Sequence, residues 1–252
     1  MNIKWDSQNY SEKFSFVPQY GEDVINLITK PAGSRVADLG CGNGTLTKKL
    51  CDKGYNVVGI DSSEDMLSLA RSKYPELKFI NADALSFQLD HEADVIFSNA
   101  VFHWIDGCNQ ERLIENISRQ LVDGGELVCE FGGFGNCEAV HSTLEKCFNE
   151  RNLSYPRTFY FPTIGEYATI LEKYGLRVNY AVLCDRPTMQ KSQDGLADWI
   201  NMFVTVPFEG MSVDIKNEIL EETKSILKDT LFKDGKWYID YVRIRIRAEK
   251  IQ

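Results

Sequence analysis

The sequence predicts an α/β protein in which a mainly parallel sheet carries helices on both faces. Strand-like and helix-like segments alternate from Arg35 to Phe131. The strands are short, nearly continuous apolar runs, as expected of sheets buried on both sides. The first strand also runs into a glycine-rich turn, Val36-Ala37-Asp38-Leu39-Gly40-Cys41-Gly42-Asn43-Gly44, and the second ends on a carboxylate, Gly59-Ile60-Asp61. Ligands of such sheets bind beyond the carboxyl ends of the strands, where the glycines and Asp61 fall.

The elements follow in order. Glu22 to Thr29 carries Val24, Ile25, Leu27 and Ile28 at helical spacing, closed by Pro31-Ala32-Gly33. Arg35–Leu39 is a strand and Thr45–Lys53 a helix. Asn56–Ile60 is a strand, and Ser63–Lys73 is a helix with Met66, Leu67 and Ala70 on one side. Ser62 followed by Asp65 resembles a capping box at its start. Strands at Leu77–Ile80 and Asp94–Ser98 precede a helix at Gln110–Leu121, and Gly124-Gly125 turns into a strand at Glu126–Phe131. Beyond it lie helices at Glu138–Asn149 and Ile164–Tyr174, a Pro- and aromatic-rich stretch from Tyr155 to Pro162, and a strand at Leu176–Leu183. Residues 192–230 read as helical, with Trp199, Ile200, Phe203 and Val204 on one face. In Trp237–Ala248, Val242, Ile244 and Ile246 alternate with Arg243, Arg245 and Arg247, which reads as a strand with one apolar and one wetted face.

At 252 residues the chain fits one large domain, 1–252, with residues to spare for embellishment. Residues 1–20, bearing Trp5, Tyr10 and Phe14, are expected to form a lid segment, and 188–232 a helical cap inserted before the last strand. No apolar run approaches the roughly 18–20 residues of a membrane span, and the start does not read as a signal peptide. The net charge of −9 disfavours a polyanionic partner. Seven cysteines without a CxxC pair, and only three histidines, suggest neither a disulfide framework nor a metal site and fit a reducing cytoplasm. The cysteines read as small buried hydrophobes.

Backbone without side chains comes close to a ligand, and the helix that follows offers unpaired N–H groups. Asp61, twenty-one residues after Gly40, sits where a βαβ unit presents an acceptor to ribose hydroxyls. The segment Asp38-Leu39-Gly40-Cys41-Gly42-Asn43-Gly44 resembles motif I of class I S-adenosylmethionine-dependent methyltransferases. Trp5-Asp6…Tyr10, Gly59-Ile60-Asp61-Ser62-Ser63, Ala82-Asp83-Ala84, Ile96-Phe97-Ser98-Asn99-Ala100…Trp104 and Asp198-Trp199 are similar to the trans-aconitate 2-methyltransferases and related small-molecule methyltransferases.

The resemblance implies a seven-stranded sheet whose last strand is antiparallel, with S-adenosyl-L-methionine as cofactor. It implies that Asp38 faces the cationic methionyl end and that Gly40, Gly42 and Gly44 let the loop approach it. Asp61 would accept from both ribose hydroxyls and Asp83, beside Ala84, would meet the adenine amino group. Asn99 would lie beside the sulfonium. Cys41, Ser62 and Met66 complete the candidate cofactor-binding set. Tyr10, Asn99, His103 and Trp104 are candidate positioning residues, with Trp104 facing the pocket by resemblance only. The plainer readings are solvated turn residues for Asp38 and Asp61, a loop carboxylate or cap for Asp83, a simple turn for Asn99-Ala100, core packing for Phe102, and a structural hydrogen-bonder for His103.

A nicotinamide fingerprint wants its third glycine where Thr45 stands, and a carboxylate two residues before the first glycine sits badly beside a pyrophosphate. That charge pattern favours a cationic cofactor over a dinucleotide, and the resemblance implies methyl transfer to a small molecule. A carboxylate oxygen would need no general base, and the sequence offers no obvious Glu/His constellation for one. Arg157, Arg186 and Arg243 are candidate clamps for an anionic acceptor. The glycine-rich Gly132-Gly133-Phe134-Gly135 departs from the aconitate enzymes and suggests a different acceptor, and the Asn-Pro-Pro-Tyr motif of nucleic-acid amino-methylating enzymes is absent. A monomer or weak homodimer without nucleic-acid or membrane partners is expected. The alternatives are a non-catalytic S-adenosylmethionine-binding protein and an NAD(P)-dependent oxidoreductase.

Overall fold

The computed structural model describes residues 17–251. After helix α1 (Val17–Ile25), strands β1 (Arg35–Leu39), β2 (Asn56–Asp61), β3 (Lys78–Asn81), β4 (Ala93–Asn99) and β5 (Leu121–Gly132) are joined by helices α2 (Thr45–Asp52), α3 (Glu64–Lys73) and α4 (Gln110–Gln120). Helices α5 (Glu138–Asn149) and α6 (Ile164–Lys173) lead to β6 (Leu176–Asp185) and a short β7 (Thr188–Met189). Helices α7 (Gly195–Phe203) and α8 (Val213–Leu231) are followed by β8 (Phe232–Lys233), β9 (Lys236–Ile239) and β10 (Val242–Lys250).

Seven strands form one sheet in the order β3-β2-β1-β4-β5-β10-β6. β1 to β5 run parallel, and β10 is antiparallel to both β5 and β6. The strand order reverses between β1 and β4, the switch point beyond whose strand ends ligands of such sheets bind. Period-two alternation explains the two-sided core. In β1, Val36 joins Val24, Ile25, Leu46 and Leu50 on one face. Its neighbours Ala37 and Leu39 join Leu113, Ile114, Ile117 and Tyr167 on the other.

A second core collects Leu144, Trp199, Ile200, Leu220, Leu227, Trp237 and Tyr241. It shows that the 188–232 region is not purely helical. Its helices pack with α5, and β7, β9 and β8 add a three-stranded sheet of their own. The predicted strand Trp237–Ala248 is divided at Asp240 and Tyr241. Asp240 is diverted to α5, where its carbonyl accepts from Cys137 N–H (2.9 Å) and its carboxylate from Ala139 N–H (2.8 Å).

Other boundaries also shift for physical reasons. The first helix ends at Ile25, and Leu27 and Ile28 continue as tight turns bonded three residues back. The α3 cap is Ser63 rather than Ser62: Ser63 is extended, and its hydroxyl accepts from Met66 N–H (3.3 Å). β5 starts at Leu121, and its register against β4 slips between Ala93 and Val95.

The expected wetted arginine face of β10 is in fact covered. Arg243 is buried, Arg245 bonds Glu130 Oε2 (2.7 Å), and Arg247 reaches Leu27 O (3.5 Å). Pairing with Glu130 lets the Arg245 guanidinium lie in a position that the sequence pattern assigns to solvent. Cys41, Cys129, Cys137 and Cys147 are buried among apolar neighbours, whereas Cys108 is exposed.

Candidate functional site

The turn after β1 is held in a conformation that suits glycine. Gly40, Gly42 and Gly44 all have positive φ, at 79°, 54° and 76°. The N–H groups of Gly40 and Cys41 both donate to Ile60 O, at 2.7 and 3.0 Å, fastening the loop to the end of β2. A Cβ on Gly40 would stand 2.2 Å from Val101 Cγ2. Gly40→Ala is therefore expected to destabilise the protein by about 2–4 kcal/mol, combining left-handed strain with overpacking. Chemical denaturation measures this, and an unchanged midpoint would contradict it.

Asp61 and Asp38 flank this loop. Asp61 Oδ2 accepts from Gly42 N–H (2.9 Å), and Oδ1 accepts from Ser63 N–H (2.8 Å). The carboxylate therefore staples the glycine loop to the start of α3, a structural role that coexists with its candidate ligand role. Burial raises its pKa, and the backbone N–H groups oppose that rise. Asp38 is 2% exposed and accepts from Thr47 Oγ1 at 2.6 Å. Burial pushes its carboxyl up to about 7, against the lowering effect of the Thr47 hydroxyl. Cys41 and Met66 are buried beside the loop, and a Cβ on Gly42 would meet Met66 Cε at 3.2 Å. Burial also raises the Cys41 thiol, which removes it as a nucleophile.

The remaining sequence candidates divide. Ser62 lies exposed in the turn between Asp61 and the α3 cap. Asp83 is exposed and caps a turn by accepting from Leu85 N–H (2.8 Å). Ala84 is buried in the main core. Asn99, at the end of β4, holds its buried Oδ1 without a hydrogen-bond partner. Ala100 follows with φ 62°, an uncommon conformation for a residue bearing a Cβ, fixed by its N–H bond to Glu130 O (2.7 Å). Trp5, Tyr10 and Phe14 lie outside the described residues.

His103 and Trp104 form one wall of a cavity at this same edge of the sheet. It is partly open to solvent and is lined by Ala100, Asn136, Phe159, Phe161, Trp199, Phe203, Tyr241 and Arg243 as well. Trp104 packs on Phe159 (4.9 Å) and Phe203 (5.9 Å), and Phe159 stacks on Phe161 (5.4 Å, 7°). His103 Nδ1 accepts from Gly132 N–H at 3.2 Å. That bond assigns the ring proton of the neutral form to Nε2. Burial, followed by the charge of Arg243, holds its pKa well below the usual value.

Most of the lining lay beyond sequence reasoning. The aromatic density of Tyr155–Pro162 was a usable signal, but only the fold brings it against Trp199 and Tyr241. Of the three candidate clamps, Arg157 is turned outward onto Glu138 and Glu145. Arg186 pairs with the buried Glu130. Arg243 alone reaches the cavity.

These groups fit a cationic nucleoside cofactor. The glycine loop leaves its backbone bare, Asn99 Oδ1 awaits a donor, and a positive charge near Asp38 would relieve the burial that resists its ionisation. Among the described residues no group of three or more His, Cys, Asp or Glu could hold a metal ion, and no helix is long and apolar enough to cross a membrane.

The sequence matches the methyltransferase-domain family over residues 36–125. An uncharacterized methyltransferase of Schizosaccharomyces pombe is 29% identical over 98% of this chain and 98% of its own length. Another, from Bacillus cytotoxicus, is 31% identical over 72% of this chain and 85% of the relative. A structure assigned as a methyltransferase from Bacillus halodurans superposes with a TM-score of 0.67 at 16% identity, covering 92% of this chain and 98% of that one. Geranyl diphosphate C-methyltransferase from Streptomyces coelicolor, solved with S-adenosyl-L-homocysteine, gives 0.54 at 15% identity over 94% and 79% of the two chains. With the glycine loop and strand-end carboxylates in place, this chain belongs to the class I S-adenosylmethionine-dependent methyltransferases.

Proposed function

We propose that this enzyme transfers the methyl group of S-adenosylmethionine to a carboxylate oxygen of a small molecule bound in the aromatic cavity. The observation that carries the reading is the lining of that cavity. Among the described residues it contains no carboxylate, and the imidazole of His103 is bonded so that no lone pair is left to take a proton. An amine or carbon acceptor would have to shed a proton there, whereas a carboxylate is already ionised at pH 7.

The bound cofactor supplies an electrophilic methyl on a sulfonium sulfur. With that group in place, a carboxylate acceptor would take the methyl while the C–S electron pair stayed on sulfur, so no residue of the cavity would have to take up a proton. Asp61 and the Gly40–Gly44 loop hold the nucleoside, Asp38 faces its positive charge, and Asn99 offers Oδ1 at the end of β4. The cavity orients the acceptor and excludes water, which favours a step that neutralises opposite charges. Residues 1–20 as a lid and the 188–232 cap would complete the enclosure. The same reading, with the net charge of −9, has a cytoplasmic monomer or weak homodimer with no nucleic-acid or membrane partner.

Cofactor labelled in its methyl group, offered with a panel of carboxylic acids, amines and phenols, tests the proposal. Label should appear in an acid-derived product and be released as methanol on mild alkaline treatment, as a methyl ester requires. Label found only in base-stable products would overturn it. Either form of the cofactor, at about 100 times its Kd, should stabilise the native state by about 2.7 kcal/mol in thermal unfolding.

A further inference from the structure

Arg243 occupies an unusual position for a charge. It lies in β10, paired in register with Gly132 of β5 and Cys184 of β6, and is only 6% exposed. Its guanidinium sits 4.1 Å over the Tyr241 ring, a platform fixed by the bond from Trp199 Nε1 to Tyr241 Oη (2.6 Å). Nε has no hydrogen-bond partner, and Arg243 forms no ion pair among the described residues. The neighbouring charges do not compensate. Glu130 is taken by both Arg186 and Arg245, and Asp240 turns its carboxylate to Ala139 N–H. His103, whose pKa is depressed, contributes no negative charge. A desolvated guanidinium without a counter-ion is strongly unfavourable, and a carboxylate matches its fork with two parallel hydrogen bonds.

We propose that Arg243 is the anion receptor of the acceptor cavity, and that the acceptor is a flat, apolar carboxylic acid. The exposed sides of Phe159 and Phe161, with Trp104, Trp199 and Phe203, provide aromatic faces against which a planar apolar body stacks. This inference rests on the methyltransferase reading and deepens it by naming the substrate class and the residue that selects it. It also accounts for product release, because a methyl ester has no charge to offer Arg243 and leaves it as uncompensated as before.

Equilibrium binding in the presence of S-adenosylhomocysteine tests the inference separately from turnover. The probes are benzoate, cinnamate, naphthoate and indole carboxylate, each with its primary amide, against wild type, Arg243→Gln and Arg243→Lys. At least one acid should bind wild type 100-fold or more tighter than its amide. The preference should vanish in Arg243→Gln, return in part in Arg243→Lys, and leave cofactor affinity within about twofold. An acid preference retained in folded, cofactor-binding Arg243→Gln would overturn it, as would the absence of any acid preference in wild type. If acids depend on Arg243 for binding but the methyl goes to another atom, the carboxylate-oxygen reading fails and the receptor role stands.

Discussion

Asp61→Ala is expected to lower affinity for S-adenosylmethionine by about 100-fold or more and to abolish the cofactor-induced rise in melting temperature. Two losses combine. Hydrogen bonds to a charged acceptor contribute roughly 1.5–3 kcal/mol each, and the ribose would lose its acceptor. The N–H groups of Gly42 and Ser63, at 2.9 and 2.8 Å from the carboxylate, would lose their common partner, freeing the loop from α3. Asp61→Asn keeps one acceptor oxygen and should recover part of the affinity. Calorimetry with circular dichroism as a check on folding separates the effects. Undiminished affinity in folded Asp61→Ala would remove the ribose-acceptor role.

Asp38→Asn has an effect whose sign depends on pH. The folded-state pKa of Asp38 is raised by burial to about 7 from 3.8, so the native state keeps a proton that the unfolded chain has released. The group's contribution is thus neutral below pH 3.8 and becomes progressively destabilising as pH rises to about 7. At about 1.4 kcal/mol per pK unit this reaches at most about 4 kcal/mol, before relaxation of the site reduces it. The uncharged asparagine escapes the penalty. The ligand-free variant should be more stable than wild type at pH 8, by a margin that closes toward pH 4. A bound cation reverses the preference, so wild-type affinity for cofactor should rise with pH up to about 7 with proton release, and the variant's should stay flat. Parallel pH profiles for the two proteins would contradict this.

The sheet and the glycine turn after its first strand were legible in the sequence because their causes are local. Apolar strands at α/β spacing, glycines that only a left-handed turn requires, and carboxylates at strand ends each act within a few residues. The capping box read at Ser62 falls one residue later because either adjacent serine can serve and the extended backbone is that of Ser63. Longer-range features were not legible. Alternation in β10 implied a wet arginine face, yet Glu130 on the neighbouring strand lets Arg245 pack inside. Similarly, 192–230 carried a helical pattern, but nothing within it showed that the segments around it would pair as β7, β8 and β9. The acceptor cavity joins the β4 exit, Phe159, Trp199 and Tyr241, residues far apart in sequence whose meeting is a product of the fold.

Titration calorimetry of the folded protein with S-adenosylmethionine, S-adenosylhomocysteine and NAD tests the central claim, that strand-end carboxylates and a bare glycine loop grip a sulfonium nucleoside. One site per chain for the first two ligands, with affinity in the micromolar range or tighter and no heat from NAD, is the result the account predicts. Silence from both sulfur nucleosides at millimolar concentration, with the protein demonstrably folded, would contradict it.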